Sequence, residues 1–313
     1  AEMPKEHSGC MSAGPFGAGG FFFSVHHAIC QRMDMLSPYA RQLAALEARG
    51  RARRLIPRAG ADFSSNDYLG LSRDTAISDA VAQGLARGVP IGSGGSRLLR
   101  GNAPEHEALE AKAAGFFGGE AALYLANGFV ANLGLLSALP RQGDLIVADE
   151  LIHASMHDGI RQSRAEFRLV PHNDAQAFDD AILDWRAHGG TGTPWIVAET
   201  VYSMDGDLAP VDDLAAISWR RGAMLLLDEA HATGVFGRDG RGVAAHLEGE
   251  ENVITVHTCG KALGVEGALV CAPRVLIETL VNKARPFIFS TAPSPLMAVA
   301  VGAALDRIAG AGG

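Results

Sequence analysis

The chain has 313 residues, 48% hydrophobic and 20% charged, with a formal net charge of -8. That is a globular composition with material for about two domains. Charges of both signs are interspersed and the longest basic stretch is Arg51 to Arg58, which argues against a nucleic-acid partner. No apolar run reaches the roughly 18 residues that a membrane span needs, and Cys10, Cys30, Cys259 and Cys271 have neither metal-ligand nor disulfide-framework spacing. No metal site is therefore expected, and the cysteine usage suits a reducing cytoplasm.

Residues 1–35 are rich in Gly, Ala and Phe, but histidines interrupt the apolar stretch that a secretion signal would keep clean. They read as a disordered extension. From Ser37, "SPYARQLAALEARGR" places Leu43 and Leu46 at helix spacing, and residues 36–75 read as an N-terminal arm. After the turn-rich "FSSNDYLGLS" and "GSGGSRLLRGN", two segments have helical period, "EHEALEAKAAGFF" and "GFVANLGLLSAL", the second entered through Asn127-Gly128. The rhythm then changes to short apolar runs separated by helix-length segments: "DLIVAD" (144–149), "PWIVAE" (194–199), "AMLLLD" (223–228), "NVITV" (252–256) and "GALVCA" (267–272). Strands this uniformly apolar are buried on both faces, which predicts an α/β fold with a mostly parallel sheet. Ligands in such folds collect at the carboxyl ends of strands. Asp149, Glu199, Asp228, Glu229, His231 and residues 257–261 stand there.

Three common chemistries fail on register. A phosphate loop ending at Gly260-Lys261 would need glycine at Thr255 and Ser or Thr at Ala262. A dinucleotide fingerprint starting at Gly92 would need glycine at Arg97, and "GSGGS" does not fit a nucleophile elbow. What stays open is Lys261 in "HTCGKALG". A desolvated lysine forms Schiff bases, and flanking glycines permit a tight turn and leave room for a flat ring. Taken alone, the octapeptide favours the plainer reading of a capping or surface lysine. The "LLLDEAHATG" stretch shifts the balance, because a rigid strand carries Asp228 to its end with His231 three residues on. Pyridoxal phosphate (PLP) needs a lysine for its aldehyde, an acid for its pyridine nitrogen and donors for its phosphate. Lys261, Asp228 and the Gly128 and Phe129 amides at a helix start offer all three.

The segments "FSSNDYLGLS", "GSGGSRLLRGN", "GFVAN", "HASMHDGIR", "HND", "VYSMDGDLAP", "LDEAHATGVFGRDGRG" and "TCGKALG" resemble, in this order, the α-oxoamine synthases among the fold-type I PLP enzymes. The resemblance runs over roughly residues 36–309. It implies that residues 76–313 form the PLP-binding large domain, with a seven-stranded type of sheet, and that the small C-terminal domain is absent. It implies Lys261 as Schiff-base lysine and proton acceptor, Asp228 on the pyridine nitrogen, His231 on the phenolic oxygen, His153 stacked on the ring and Ser203 touching cofactor or substrate. Gly128, Phe129 and Thr258 would hold the phosphate, joined by Ser290 and Thr291 from the second subunit of a homodimer. Asn66 would contact the amino acid, and Ser93 and Gly94 would line the thioester entrance. The wording is nearest to members that condense L-alanine with pimeloyl-CoA or pimeloyl-acyl carrier protein to 8-amino-7-oxononanoate, in biotin biosynthesis. The alternatives are a glycine-using 2-amino-3-ketobutyrate ligase or 5-aminolevulinate synthase, or an inactive truncated relative. Cys259 reads as a packing residue.

Overall fold

The computed structural model describes residues 35–310, and the chain divides into two units, Ala1–Asp62 and Phe63–Gly313. The extension expected over 1–35 lies almost wholly outside the described residues. In the first unit residues 35–48 form helix α1, as the leucine spacing predicts, and an exposed Arg54–Glu47 pair closes at 3.3 Å behind it.

The second unit begins with α2 (Thr75–Ala86), whose start is fixed by Asp74 accepting from the amides of Ala76 and Ile77. Helix α3 (Pro104–Phe117) opens on proline and stops at Gly118, which takes φ 91°. Strands and helices then alternate: β1 (Ala121–Leu125), α4 (Gly128–Ala138), β2 (Leu145–Asp149), α5 (Ala154–Gln162), β3 (Glu166–Val170), α6 (Ala175–Ala187), β4 (Pro194–Glu199), α7 (Val211–Arg221), β5 (Met224–Asp228), β6 (Val253–Thr258) and β7 (Ala268–Ala272). Helices α8 (Arg274–Lys283), α9 (Arg285–Ile288) and α10 (Pro295–Gly310) follow.

The strands make one seven-stranded sheet in the order β1-β7-β6-β5-β4-β2-β3. Only β7 runs against its neighbours, β1 and β6; the other pairings are parallel. All five strands expected from apolar runs form. Two were not anticipated. The run "AALYL" of β1 sits between two helical patterns and is too short for periodicity to separate strand from helix. The β3 run pairs only with β2 and buries little besides Val170, so an edge position and not apolar continuity makes it a strand.

Side chains alternate across the sheet. Ile146, Ala148, Val197 and Leu226 pack on one face with Leu135 of α4, Met156 of α5 and Leu280 of α8. Leu145, Val147, Ile196 and Leu225 pack on the other with Phe178 of α6 and Leu214 of α7. At the β1-β7 end that second layer is supplied by Leu109 of α3 and Val301 of α10 over Tyr124 and Leu269. Parallel order has a functional consequence: the carboxyl ends of β1, β2, β4, β5 and β6 open on one edge, carrying Asn127, Asp149, Glu199, Asp228 and Thr258.

Candidate active site

Strand β5 is apolar up to Asp228, and pairing on both sides, Glu199↔Asp228 and Asp228↔Val256, carries that carboxylate into the interior at 4% exposure. Two hydrogen bonds orient it. Its Oδ1 accepts from the Ala230 amide at 2.9 Å and its Oδ2 from Asn132 Nδ2 at 2.7 Å. The neighbouring Glu199 is equally buried, and desolvation, reinforced by the Asp228 charge, pushes its carboxyl up to about 8. Glu199 is therefore mostly protonated at neutral pH.

Lys261 leaves β6 on a tight turn, and its Nζ lies 2.8 Å from His231 Nε2. Burial holds the lysine below its ordinary 10.5, although Asp228 and Glu199 pull the other way. His231 is pushed down to about 4, first by burial and then by the Lys261 charge, so its ring is neutral. Hydrogen-bond directions follow. Lys261 donates to Nε2, the ring proton on Nδ1 reaches Tyr68 Oη at 2.7 Å, and the tyrosine hydroxyl donates to Asn66 Oδ1 at 3.1 Å. Of the two glycines flanking the lysine, Gly260 is loosely surrounded, a Cβ there meeting only the Val265 carbonyl oxygen at 3.8 Å. Gly264 does something different: at φ +66° a Cβ there would stand 2.2 Å from the Ser72 amide, so it permits backbone to pack on backbone.

The entry to α4 is capped by Asn127, whose side chain accepts from the Val130 amide. The amides of Gly128 and Phe129 occupy the first turn, where no intrahelical acceptor exists. A Cβ on Gly128 would meet Thr258 Oγ1 at 3.4 Å, so this helix end and the end of β6 form one bare cradle. His153 caps α5 through Ser155 and stays exposed, its ring edge-on to Phe129 at 6.5 Å.

Lys261, His231, Asp228, Asn66, Gly128, Phe129, Thr258 and His153 thus belong to one strand-end region. Ser203 lies in an exposed turn after β4 and has no hydrogen bond to that cluster. Ser290 and Thr291 lie after α9, where Ser290 donates to Pro286. Ser93 donates to the Pro293 carbonyl at 2.6 Å, beside Gly94 at φ 68°. Ala292 N–H reaches Gly95 O at 2.9 Å. The two outlying pairs of expected residues are therefore stitched into one feature. Cys259 is buried among Leu263, Leu269 and Tyr124, and burial raises its thiol pKa, as a packing residue requires.

Sequence reading missed Tyr68, Asn132 and Ser155. Tyr68 and Asn132 stood inside quoted segments, "FSSNDYLGLS" and "GFVAN", as did Ser155 in "HASMHDGIR". Their hydrogen-bond partners are 163, 96 and 23 residues away for Tyr68–His231, Asn132–Asp228 and Asn132–Ser155.

The family model described as aminotransferase class I and II matches residues 59–310. The chain belongs to that family. Among aminotransferase class I and II proteins, the chain is 45% identical over 295 residues to an 8-amino-7-oxononanoate synthase of Burkholderia ambifaria, covering 88% of this chain and 65% of that one. The chain thus spans about two thirds of that relative's length. A solved 8-amino-7-oxononanoate synthase from Francisella tularensis superposes with TM-score 0.65 at 32% identity, over 79% of this chain and 69% of that one. A serine palmitoyltransferase from S. paucimobilis, solved with a bound PLP-myriocin aldimine, superposes with TM-score 0.78 at 26% identity over 89% and 75% of the two chains. The resemblance to the α-oxoamine synthases holds, within the aminotransferase class I and II fold. Among the described residues no helix is long and apolar enough to cross a membrane.

Proposed function

We propose that the chain is a PLP-dependent acyltransferase that condenses L-alanine with a pimeloyl thioester, on CoA or acyl carrier protein, with loss of carbon dioxide to give 8-amino-7-oxononanoate. The observation carrying the chemistry is Lys261 Nζ held 2.8 Å from a neutral His231, beside the buried Asp228. The substrate assignment rests on the similarity to proteins named 8-amino-7-oxononanoate synthase.

The residues present fit PLP. An oriented, buried carboxylate, a desolvated amine and a helix entry whose first-turn amides adjoin Thr258 are the three contacts the cofactor needs. Lys261 would hold its aldehyde, Asp228 its pyridine nitrogen, His231 its phenolic oxygen and His153 its ring face. Gly128, Phe129 and Thr258 would hold its phosphate. When bound, PLP supplies an electron sink for negative charge at the substrate Cα. The chain supplies the rest. Lys261, held below its ordinary range by burial, would take and return a proton at Nζ. His231 is kept uncharged, and its donor chain through Tyr68 ends on Asn66, where the amino acid would lie. Ser203 would touch cofactor or substrate, and Ser93 and Gly94 would border the thioester entrance.

We read residues 36–75 as an arm and 76–313 as the large domain of a cytoplasmic homodimer in which Ser290 and Thr291 serve the partner's phosphate. The test is amino-acid profiling of the PLP-loaded protein with pimeloyl-CoA, followed by CoA release. Turnover of alanine is expected, and turnover of glycine or serine without alanine overturns the substrate assignment.

A further inference from the structure

Asn132 lies one turn into α4 from Gly128, at 1% exposure, and its two amide protons go to two different places. One reaches Asp228 Oδ2 at 2.7 Å and the other Ser155 Oγ at 3.0 Å. The reverse orientation would set an amide oxygen against a carboxylate oxygen at that same short distance, so the carboxylate fixes which way the amide faces. Ser155, fully buried, has accepted from Asn132 and has one proton left. It donates that proton to His153 Nδ1 at 2.7 Å, and its backbone N–H donates to the same nitrogen at 3.3 Å. His153 Nδ1 is therefore an acceptor, and the neutral ring carries its proton on Nε2. The Asn132 carbonyl oxygen is buried with no partner. A residue serving packing alone would not leave a polar atom unsatisfied there, whereas one needed for both its protons would.

We infer that Asn132 is a positioning residue that sets the Asp228 carboxylate and, through Ser155, the His153 ring from a single side-chain amide. This inference rests on the PLP reading for its catalytic consequence but not for its geometry. Asn132 couples the acid expected beneath the cofactor ring to the imidazole expected against the ring face. Without it, the Ser155 hydroxyl is free to turn toward the Asp228 Oδ2 that Asn132 no longer engages, and His153 Nδ1 keeps only the longer bond from the Ser155 backbone N–H.

The inference is tested with Asn132→Leu, which keeps volume and removes both donors, and with Ser155→Ala, which removes one hydroxyl in case the first variant does not fold. In the cofactor-free protein, nitrogen NMR of labelled histidine should find His153 with its proton on Nε2. Both variants should move a measurable fraction to Nδ1. In the PLP-loaded protein, Asn132→Leu should shift the ring-nitrogen resonance toward the unprotonated value. It should also lower kcat about ten- to a hundredfold, as losing a hydrogen bond to a charged group does, with KM for alanine within about twofold. An unchanged His153 tautomer in the folded variants overturns the inference, as does a protonated ring nitrogen with kcat near that of the parent. Failure of the unaltered protein to bind PLP would overturn the functional reading alone, because the tautomer measurement needs no cofactor.

Discussion

At Lys261 the local chemistry is set by desolvation more than by charge pairing. Burial lowers the lysine and pushes His231 down to about 4, while it raises Glu199 to about 8. These opposite shifts bound the stability of the cofactor-free protein from both sides. His231 enters the fold neutral, so its contribution is complete above its ordinary 6.5 and falls away as pH drops toward 4. Glu199 enters protonated, so its contribution is complete below 4.5 and is lost as pH rises through 8. From pH 6.5 to 8 the His231 effect fades as its unfolded-state imidazole loses its remaining protons, and Glu199 should erode stability by up to about 1.4 kcal/mol per pH unit. Glu199→Gln should flatten that slope in urea midpoints taken across the window; the same slope in both proteins would refute the assignment. Tyr68 acts differently. It is 45% exposed, so Tyr68→Phe should leave the melting temperature unchanged while removing the partner of His231 Nδ1. One such hydrogen bond is worth about 0.5–1.5 kcal/mol, so kcat should fall roughly two- to tenfold. A melting-temperature loss with intact kcat would show that the contact is structural.

Elements explain which of these residues were legible in the sequence. Asp228, His231 and Lys261 stood out because an acid or amine directly after an apolar strand is carried to a predictable edge, and β5 and β6 formed where their runs predicted. Asn132, Ser155 and Tyr68 are amide and hydroxyl residues of types common in helices and turns, and only the packing of α4 on α5 and the return of residues 66–68 give them partners. Gly264 was legible as a glycine but not for its reason, since backbone contact with Ser72 is a tertiary fact. Glu229 shows the same limit. As a strand-end acid it read as a candidate for the site. In the fold it is buried, accepting from Thr200 Oγ1 at 3.0 Å, Val243 N–H at 3.1 Å and Ala244 N–H at 2.6 Å. Its work is to pin the 241–244 loop. Glu229→Ala would strand the Val243 and Ala244 backbone donors and leave the Thr200 hydroxyl only its longer bond to Asp228 O, a loss of about 3 kcal/mol, equivalent to roughly 6–12 °C in Tm. Calorimetry checks this, and a shift below about 2 °C would show that the loop holds itself.

For the whole molecule, the question is which copy of the chain completes the site. Ser93, Gly94, Ser290 and Thr291 were expected there, but none is hydrogen-bonded to the Lys261 cluster; the segments that carry them, 91–95 and 290–294, are joined to each other instead. Besides the Ser93–Pro293 and Ala292–Gly95 bonds, Ser294 Oγ donates to Ile91 O at 2.6 Å. His106, whose Nδ1 accepts from the Ala103 amide, has its Nε2–H free to donate to Pro293 O at 2.8 Å. A loop so tightly held to the 290–294 segment moves with it. If a second copy places this clip over the first copy's cradle, both predictions about these residues are satisfied by one contact. Shared sites have an arithmetic consequence. Lys261→Ala and a double variant, Ser290→Ala with Thr291→Ala, should each be impaired alone, the first more severely. Co-refolded in equal amounts, half of the dimers would be mixed, and each mixed dimer would hold one site with both defects and one with neither. Activity should then recover to about a quarter of the parent's, above the mean of the two variants measured separately. If the mixture gives only that mean, each site is completed within its own chain, and the clip must reach Lys261 by another route.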